Sequence, residues 1–249
     1  MIYPLLVCAI LILATFSVAY YLKLNLEKDI IIGFIRALVQ VIILSFIILK
    51  LFQLSNFFTF IALIIMAFFG TLTAYPHGKF LKKSFFITML SIYTSSFSIL
   101  LIMIVAKAID NKAQIVLPLG GMVIGNAMNS VSLAFDRLKG ELKDKKLLIE
   151  TMLSLGLPGK YAFNKIKKPC VKVAMLPKIN NMKSLGLVWI PGLMAGMILG
   201  GANPVKAAIY QVIIITMIVV SSFVASLIVV EISKYQVFNK FEQLNIKII

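Results

Sequence analysis

No aspartate or glutamate falls inside any long apolar run of this chain, and acidic residues number nine against 25 lysines and arginines. Transporters coupled to protons or sodium place carboxylates at mid-membrane to bind and release the ion, so this absence argues against a secondary transporter. Histidine occurs once, as His77, and cysteine twice, as Cys8 and Cys170. That leaves no Cys/His cluster at zinc-site spacing and no disulfide framework. Paired carboxylates, histidine clusters and a nucleophile with its base are all missing, so the chain is expected not to be an enzyme. Voltage sensing needs a ladder of basic residues within a span, and Arg36 is the one basic residue inside a run. No Gly-x-x-x-x-Gly-Lys-Ser/Thr phosphate loop is present either. If this chain moves a solute uphill, the energy must come from another chain.

What is present is apolar. Of 249 residues, 61% are hydrophobic and 14% charged, and the mean hydropathy is +1.01. A water-soluble fold would have to expose most of that surface, and disordered chains are poor in apolar residues, so both are excluded. A spanning helix needs about 20 apolar residues. Seven such runs occur, at residues 3–22, 30–49, 57–75, 84–106, 115–135, 185–201 and 207–230. None alternates polar with apolar as barrel strands do. The expected fold is an all-α integral membrane protein of about seven transmembrane helices, forming one permease domain over residues 1–249. The first run is too long for a signal peptide and no basic residue precedes it.

Lysine and arginine set the orientation. One alternating set of connections carries 20 of them, twelve between Asp136 and Lys183, and the other set carries Lys50, Lys107, Lys112 and Lys206. This places the N-terminus outside and the C-terminus in the cytoplasm of a multi-pass protein of the cell (plasma or inner) membrane. Most of the net charge of +16 then faces the cytoplasm, where some of it anchors to anionic lipid. Spread over four loops and without a binding motif, it does not point to nucleic acid.

Several polar and small residues stand out within the runs. Arg36 and Gln40 share a helix face; they read either as a snorkelling pair bonded to lipid headgroups and a neighbouring helix, or as part of a transport path. The fifth run, IVLPLGGMVIGNAMNSVSLAF, carries Gly121 and Gly125, and the sixth, LGLVWIPGLMAGMILGG, carries Gly192, Gly196 and Gly200. Such rows let helix backbones approach closely, and Pro191 is expected to kink its run. Gly121, Gly125, Asn126, Asn129, Pro191, Gly192 and Gly196 are candidate path residues, with plain helix packing as the alternative. Met122, Met128, Met194 and Met197 cluster nearby. Thioethers suit soft metals, but methionine is also a common gap-filler, so these four are weak metal candidates.

Residues 136–184 form the expected cytoplasmic loop, too short for a catalytic domain with its own core. A helical stretch, DRLKGELKDKKLLIETMLSLG, is broken at Gly156 and Pro158, and a short amphipathic helix bearing Tyr161, Phe163 and Ile166 is expected before Pro169 and Pro177 end it. Apolar residues on such a helix fit a groove on a partner, or a position on the inner leaflet.

Here the sequence resembles a known family. ETMLSLGLPGKYAFNKI resembles the coupling loop of ABC transporter permeases, with Glu150-Thr151-Met152 where that loop has Glu-Ala-Ala before the glycine. The stretches LEKDIIIGFIRALVQ, GGMVIGNAMNSVSL, ETMLSLGLP and KSLGLVWIPGLMAGMILGGANPVKAAIYQ are similar to the FetB (YbbM) family of ABC permeases, associated with iron export. The resemblance implies an ABC permease subunit exporting iron or another metal, docked on a separate P-loop ATPase through Glu150, Leu155, Gly156, Pro158, Tyr161 and Phe163. It implies a second permease copy, so a homodimer, and ATP-Mg held by the ATPase, with no cofactor bound by this chain. Plant relatives are associated with aluminium tolerance and a nucleotide sugar, so a non-metal cargo is an alternative. A passive channel or a membrane anchor is the reading without ATPase coupling. Tyr210 and Gln211 match the family block without an assignable task.

Overall fold

The computed structural model describes residues 2–52, 56–239, 241, 243 and 244. The chain forms two compact units, Met1–Ser55 and Asn56–Ile249. The first is a helical hairpin of α1 (Ile2–Tyr21) and α2 (Glu27–Leu51). Its turn places Lys23 and Asn25 at φ of 52° and 57°, so that the Lys23 and Leu24 amides cap the last carbonyls of α1. Glu27 and Asp29 then open α2, where negative charge suits the exposed amides of a helix start. Arg36 and Gln40 are exposed on α2.

The second unit holds α3 (Asn56–Ala74), a tight 3-10 turn at Tyr75–Gly78, α4 (Ser84–Val105), α5 (Ala113–Asp144), α6 (Lys146–Ser154), α7 (Gly159–Ser184), α8 (Gly192–Leu199) and α9 (Pro204–Val237). α5 is central and packs against α3, α4, α7 and α9. Small residues set the closest approaches. A Cβ on Gly120 would run into Leu63 of α3, and one on Gly78 would lie 2.8 Å from the Phe135 ring. α4 buries Ser84, Thr88, Ser91 and Ser95, spaced as one helix face. Thr88 and Ser91 donate to carbonyls of their own helix, so the small face that α4 buries carries satisfied hydroxyls there.

The observed helices depart from expectation at residues 185–201 and 159–184. By length and composition, five helices can cross a membrane, α2, α3 with its 3-10 turn, α4, α5 and α9, while α1 contributes a shorter apolar stretch. The run at 185–201 is not a spanning helix. Gly186 takes φ of +76°, Leu185 bridges to Trp189, and only the eight residues Gly192–Leu199 are helical, about 12 Å of rise. Pro191 caps α8 in an extended conformation and does not kink a longer helix. The reason is local: Pro191 bars Ile190 from the helical region, and Gly186 supplies a turn.

Before it, residues 159–184 form one helix of 26 residues, about 39 Å long. Neither Pro169 nor Pro177 ends it, because packing of its buried face outweighs a missing hydrogen bond. Pro169 leaves the Lys165 carbonyl without its helical donor, and Lys145 Nζ donates to that oxygen at 3.2 Å. Residues 136–184 are therefore not a free loop: α5 extends to Asp144 and α7 returns along α5 and α9.

Candidate functional site

At one end of the second unit, α6 and the turn to α7 form an elbow. Leu155 closes α6, Gly156 follows at φ of +79°, and Pro158 caps α7 with ψ of 144°. The left-handed conformation is why glycine stands at 156, since an added Cβ would meet nothing within 4 Å. Leu147, Leu155 and Tyr161 are exposed at 77%, 76% and 59%, and Leu148 and Leu157 are exposed too. Glu150 is half-buried and lines a cleft of about 690 Å³ with Leu153, Gly156, Leu157 and Phe241. Phe163 was expected on the docking face, but it is fully buried, edge-on to Phe238 at 6.3 Å. Ile166 is buried as well. Leu147 and Leu148 of α6 were not singled out in the sequence, because adjacent apolar residues on a short helix read as core, whereas Ile149 is the one that is buried.

Ion pairs tie this elbow to the helices. Glu141 of α5 is buried and pairs with Arg137 and with Lys145, the latter at 2.7 Å. Because Lys145 also bonds the Lys165 carbonyl, the start of α6 is held to both α5 and α7. Glu231 of α9 pairs with Lys167 of α7 at 2.6 Å and with Lys234 at 2.7 Å. His77 pairs with Asp136 at 2.9 Å, beside the end of α3.

Along α5, Pro118, Met122, Gly125, Asn129, Ser132 and Asp136 recur every three or four residues on one unburied face. Asn129 is exposed on it, and a Cβ on Gly125 would meet nothing within 4 Å. Asn126 flanks this face. Its amide donates to the Met122 carbonyl at 2.8 Å, and its Oδ1 accepts from Lys178 Nζ of α7. Lys178 is 6% exposed. Gln211 on α9 is buried, with its Oε1 unpartnered among the described residues.

The two glycine rows do not meet. Gly121 faces α3, where its Cβ would lie 2.9 Å from Met66 Cε, while Gly192 and Gly196 face open space. α8 instead lies at the start of α5, where Leu193 and Met197 join Gln114, Pro118, Asn203, Lys206 and Tyr210 around a pocket of about 490 Å³. Met122 and Met128 lie on α5, whereas Met194 and Met197 lie on α8. Among the described residues no three His, Cys, Asp or Glu side chains group as a metal site.

A model of the Uncharacterised protein family (UPF0014) matches residues 2–238. The chain belongs to this family. Similar relatives include "Probable iron export permease protein FetB" of Escherichia coli (strain K12), 28% identical over 94% of this chain and 91% of that protein. "UPF0014 membrane protein YjkA" of Bacillus subtilis (strain 168) is 30% identical over 89% of each chain. "Protein ALUMINUM SENSITIVE 3" of Arabidopsis thaliana is 25% identical over 88% of this chain and 80% of its own length. No solved structure matches the chain. With its apolar helices, this UPF0014 member is a multi-pass membrane protein, and its relatives carry the names of permeases or membrane proteins and not of enzymes.

Proposed function

We propose that this chain is the transmembrane permease subunit of an ABC transporter that exports iron or another metal, driven by a separate P-loop ATPase and working as a pair of permease copies. The elbow carries the reading. An exposed row of Leu147, Leu155, Leu157 and Tyr161 surrounds a glycine hinge and sits between two long helices, the form a helix-in-groove contact requires. The metal comes from the printed name of the Escherichia coli relative.

In this reading α7 supplies the sixth crossing in place of residues 185–201, and α1 the first, so the count stays at seven. The lysine-rich elbow end then faces the cytoplasm, as the charge asymmetry requires. ATP binding closes the ATPases, and α6 moves with them. That displacement passes to α5 through Glu141 and Lys145, and to α7 through Lys145 and the Lys165 carbonyl. The unburied polar face of α5, with Gly125, Asn126 and Asn129, is the surface along which cargo moves.

The test is co-expression with the candidate ATPase, purification of the complex and reconstitution in liposomes. ATP hydrolysis is followed while Fe²⁺, other metals and nucleotide sugars are titrated. Copurification and stimulation by a metal support the proposal. Stimulation by a nucleotide sugar alone moves the cargo to a non-metal solute. Failure of the ATPase to copurify leaves a passive channel or an anchor.

A further inference from the structure

α7 carries seven lysines and no acidic residue, yet it is the helix that runs back along the centre of the second unit. Six of those lysines are exposed or half-buried, and a charge run of that kind is ordinarily a solvated face. Lys178 differs from them all. It is 6% exposed, and the bond its ammonium makes goes to a neutral group, Asn126 Oδ1. Among the described residues it forms no ion pair.

An ammonium has three donors and a full charge, and burying it without a carboxylate is costly. Ionisable groups at membrane depth persist where function uses them. Asn126 lies thirteen residues from the start of α5, close to midway along its apolar stretch, and it borders the unburied face of Gly125 and Asn129. Around this depth the chain has buried polar groups that still lack partners, Ser130 on α5 and Ser222 on α9. A hard cation would need oxygen ligands with negative charge, and no acidic group lies in any of the apolar runs.

We propose that Lys178, presented by Asn126, is a cargo-recognition residue that gives the transport path a positive step at mid-membrane, and that the permease therefore takes cargo carrying net negative charge. A free polycarboxylate or phosphate anion and an anionic metal chelate share that chemistry; a bare divalent cation does not. The proposal rests on the permease reading and specifies the form in which metal travels: wrapped in an anionic ligand.

Binding is measured on the purified full chain in lipid nanodiscs without the ATPase, so that coupling plays no part. The probes are radiolabelled iron as ferric citrate, radiolabelled citrate alone, and radiolabelled Fe²⁺ in a non-coordinating buffer. Ferric citrate is expected to bind, and Fe²⁺ at least ten-fold more weakly. Citrate binding as tightly as ferric citrate identifies a free anion as the cargo, and citrate binding more weakly identifies the chelate. Two variants remove the charge by different routes: Lys178→Gln deletes it, and Asn126→Asp neutralises it while keeping a partner for the lysine. Each is expected to lower binding of the anionic probe at least ten-fold at an unchanged elution volume, whereas Lys178→Arg keeps it within about three-fold. Preference for Fe²⁺ over the citrate probes overturns the proposal, as do wild-type affinities in both neutralising variants. Neither result touches the permease reading, which falls only if the ATPase fails to copurify.

Discussion

Gly156 shows how one residue can be required for backbone geometry without filling any contact. Its φ of +79° lies where L side chains are strained, but an added Cβ would touch nothing. Gly156→Ala is therefore expected to cost about 1–2 kcal/mol by conformation alone. Gly156→Leu adds a bulky group to the exposed apolar elbow. It is expected to leave membrane insertion and permease dimerisation intact while ATP hydrolysis no longer responds to cargo, which hydrolysis and flux measured on one preparation will check. Glu141 is the opposite case, a buried carboxylate with two cationic partners. Glu141→Gln weakens both bonds and loosens the junction of α5 and α6. A loss of about 2 kcal/mol is expected, read as a lower melting temperature in detergent.

At the scale of elements, α7 is the helix whose length the sequence understated. Its lysines interrupt any apolar run, and Pro169 and Pro177 read as stops in an isolated sequence. The buried row of Phe163, Ile166, Cys170, Ala174 and Lys178, spaced by three and four, is the signal that would have found it. Residues 185–201 misled in the reverse direction, because composition cannot register a reversal at Gly186 followed by an eight-residue helix. If α7 crosses the membrane, Tyr161 and Leu187 lie on opposite sides. In a Cys8→Ser background, Tyr161→Cys is expected to react with an impermeant maleimide only from the cytoplasmic side, and Leu187→Cys only from outside. Cys170 is fully buried and stays silent. Labelling of both from one side would return α7 to the loop.

For the molecule as a whole, the glycines separate packing from openness. Gly120 is pressed against Leu63, whereas Gly192 and Gly196 face open space. Gly120→Val is expected to lower the melting temperature of the purified chain, overpacking costing about 1–3 kcal/mol. Gly192→Val and Gly196→Val are expected to leave it within error, and parallel thermal scans of the three variants decide this. The sequence anticipated loss of packing at 192 and 196, because a glycine row reads identically whether a neighbour lies against it or not. Gly78 and Gly159 show the same ambiguity from the other side: neither belongs to a row, yet each lies against an aromatic ring.

Sequence by itself determined the solvent of this protein, since 61% hydrophobic residues can be satisfied only in a bilayer, and it placed most of the crossing helices by the length of their apolar runs. It also located the elbow, because a glycine and a proline flanked by helical patterns are local instructions. The tertiary structure alone decided which of the remaining residues meet. Phe163 faces Phe238 across 75 residues, and Lys178 reaches Asn126 across 52. Such contacts depend on the rotation and depth of each helix against its neighbours, and those are fixed by packing over the whole length of α5, α7 and α9. Hydrophobic burial has no direction of its own, so a pattern of apolar residues states that a face is covered and leaves the covering helix unnamed.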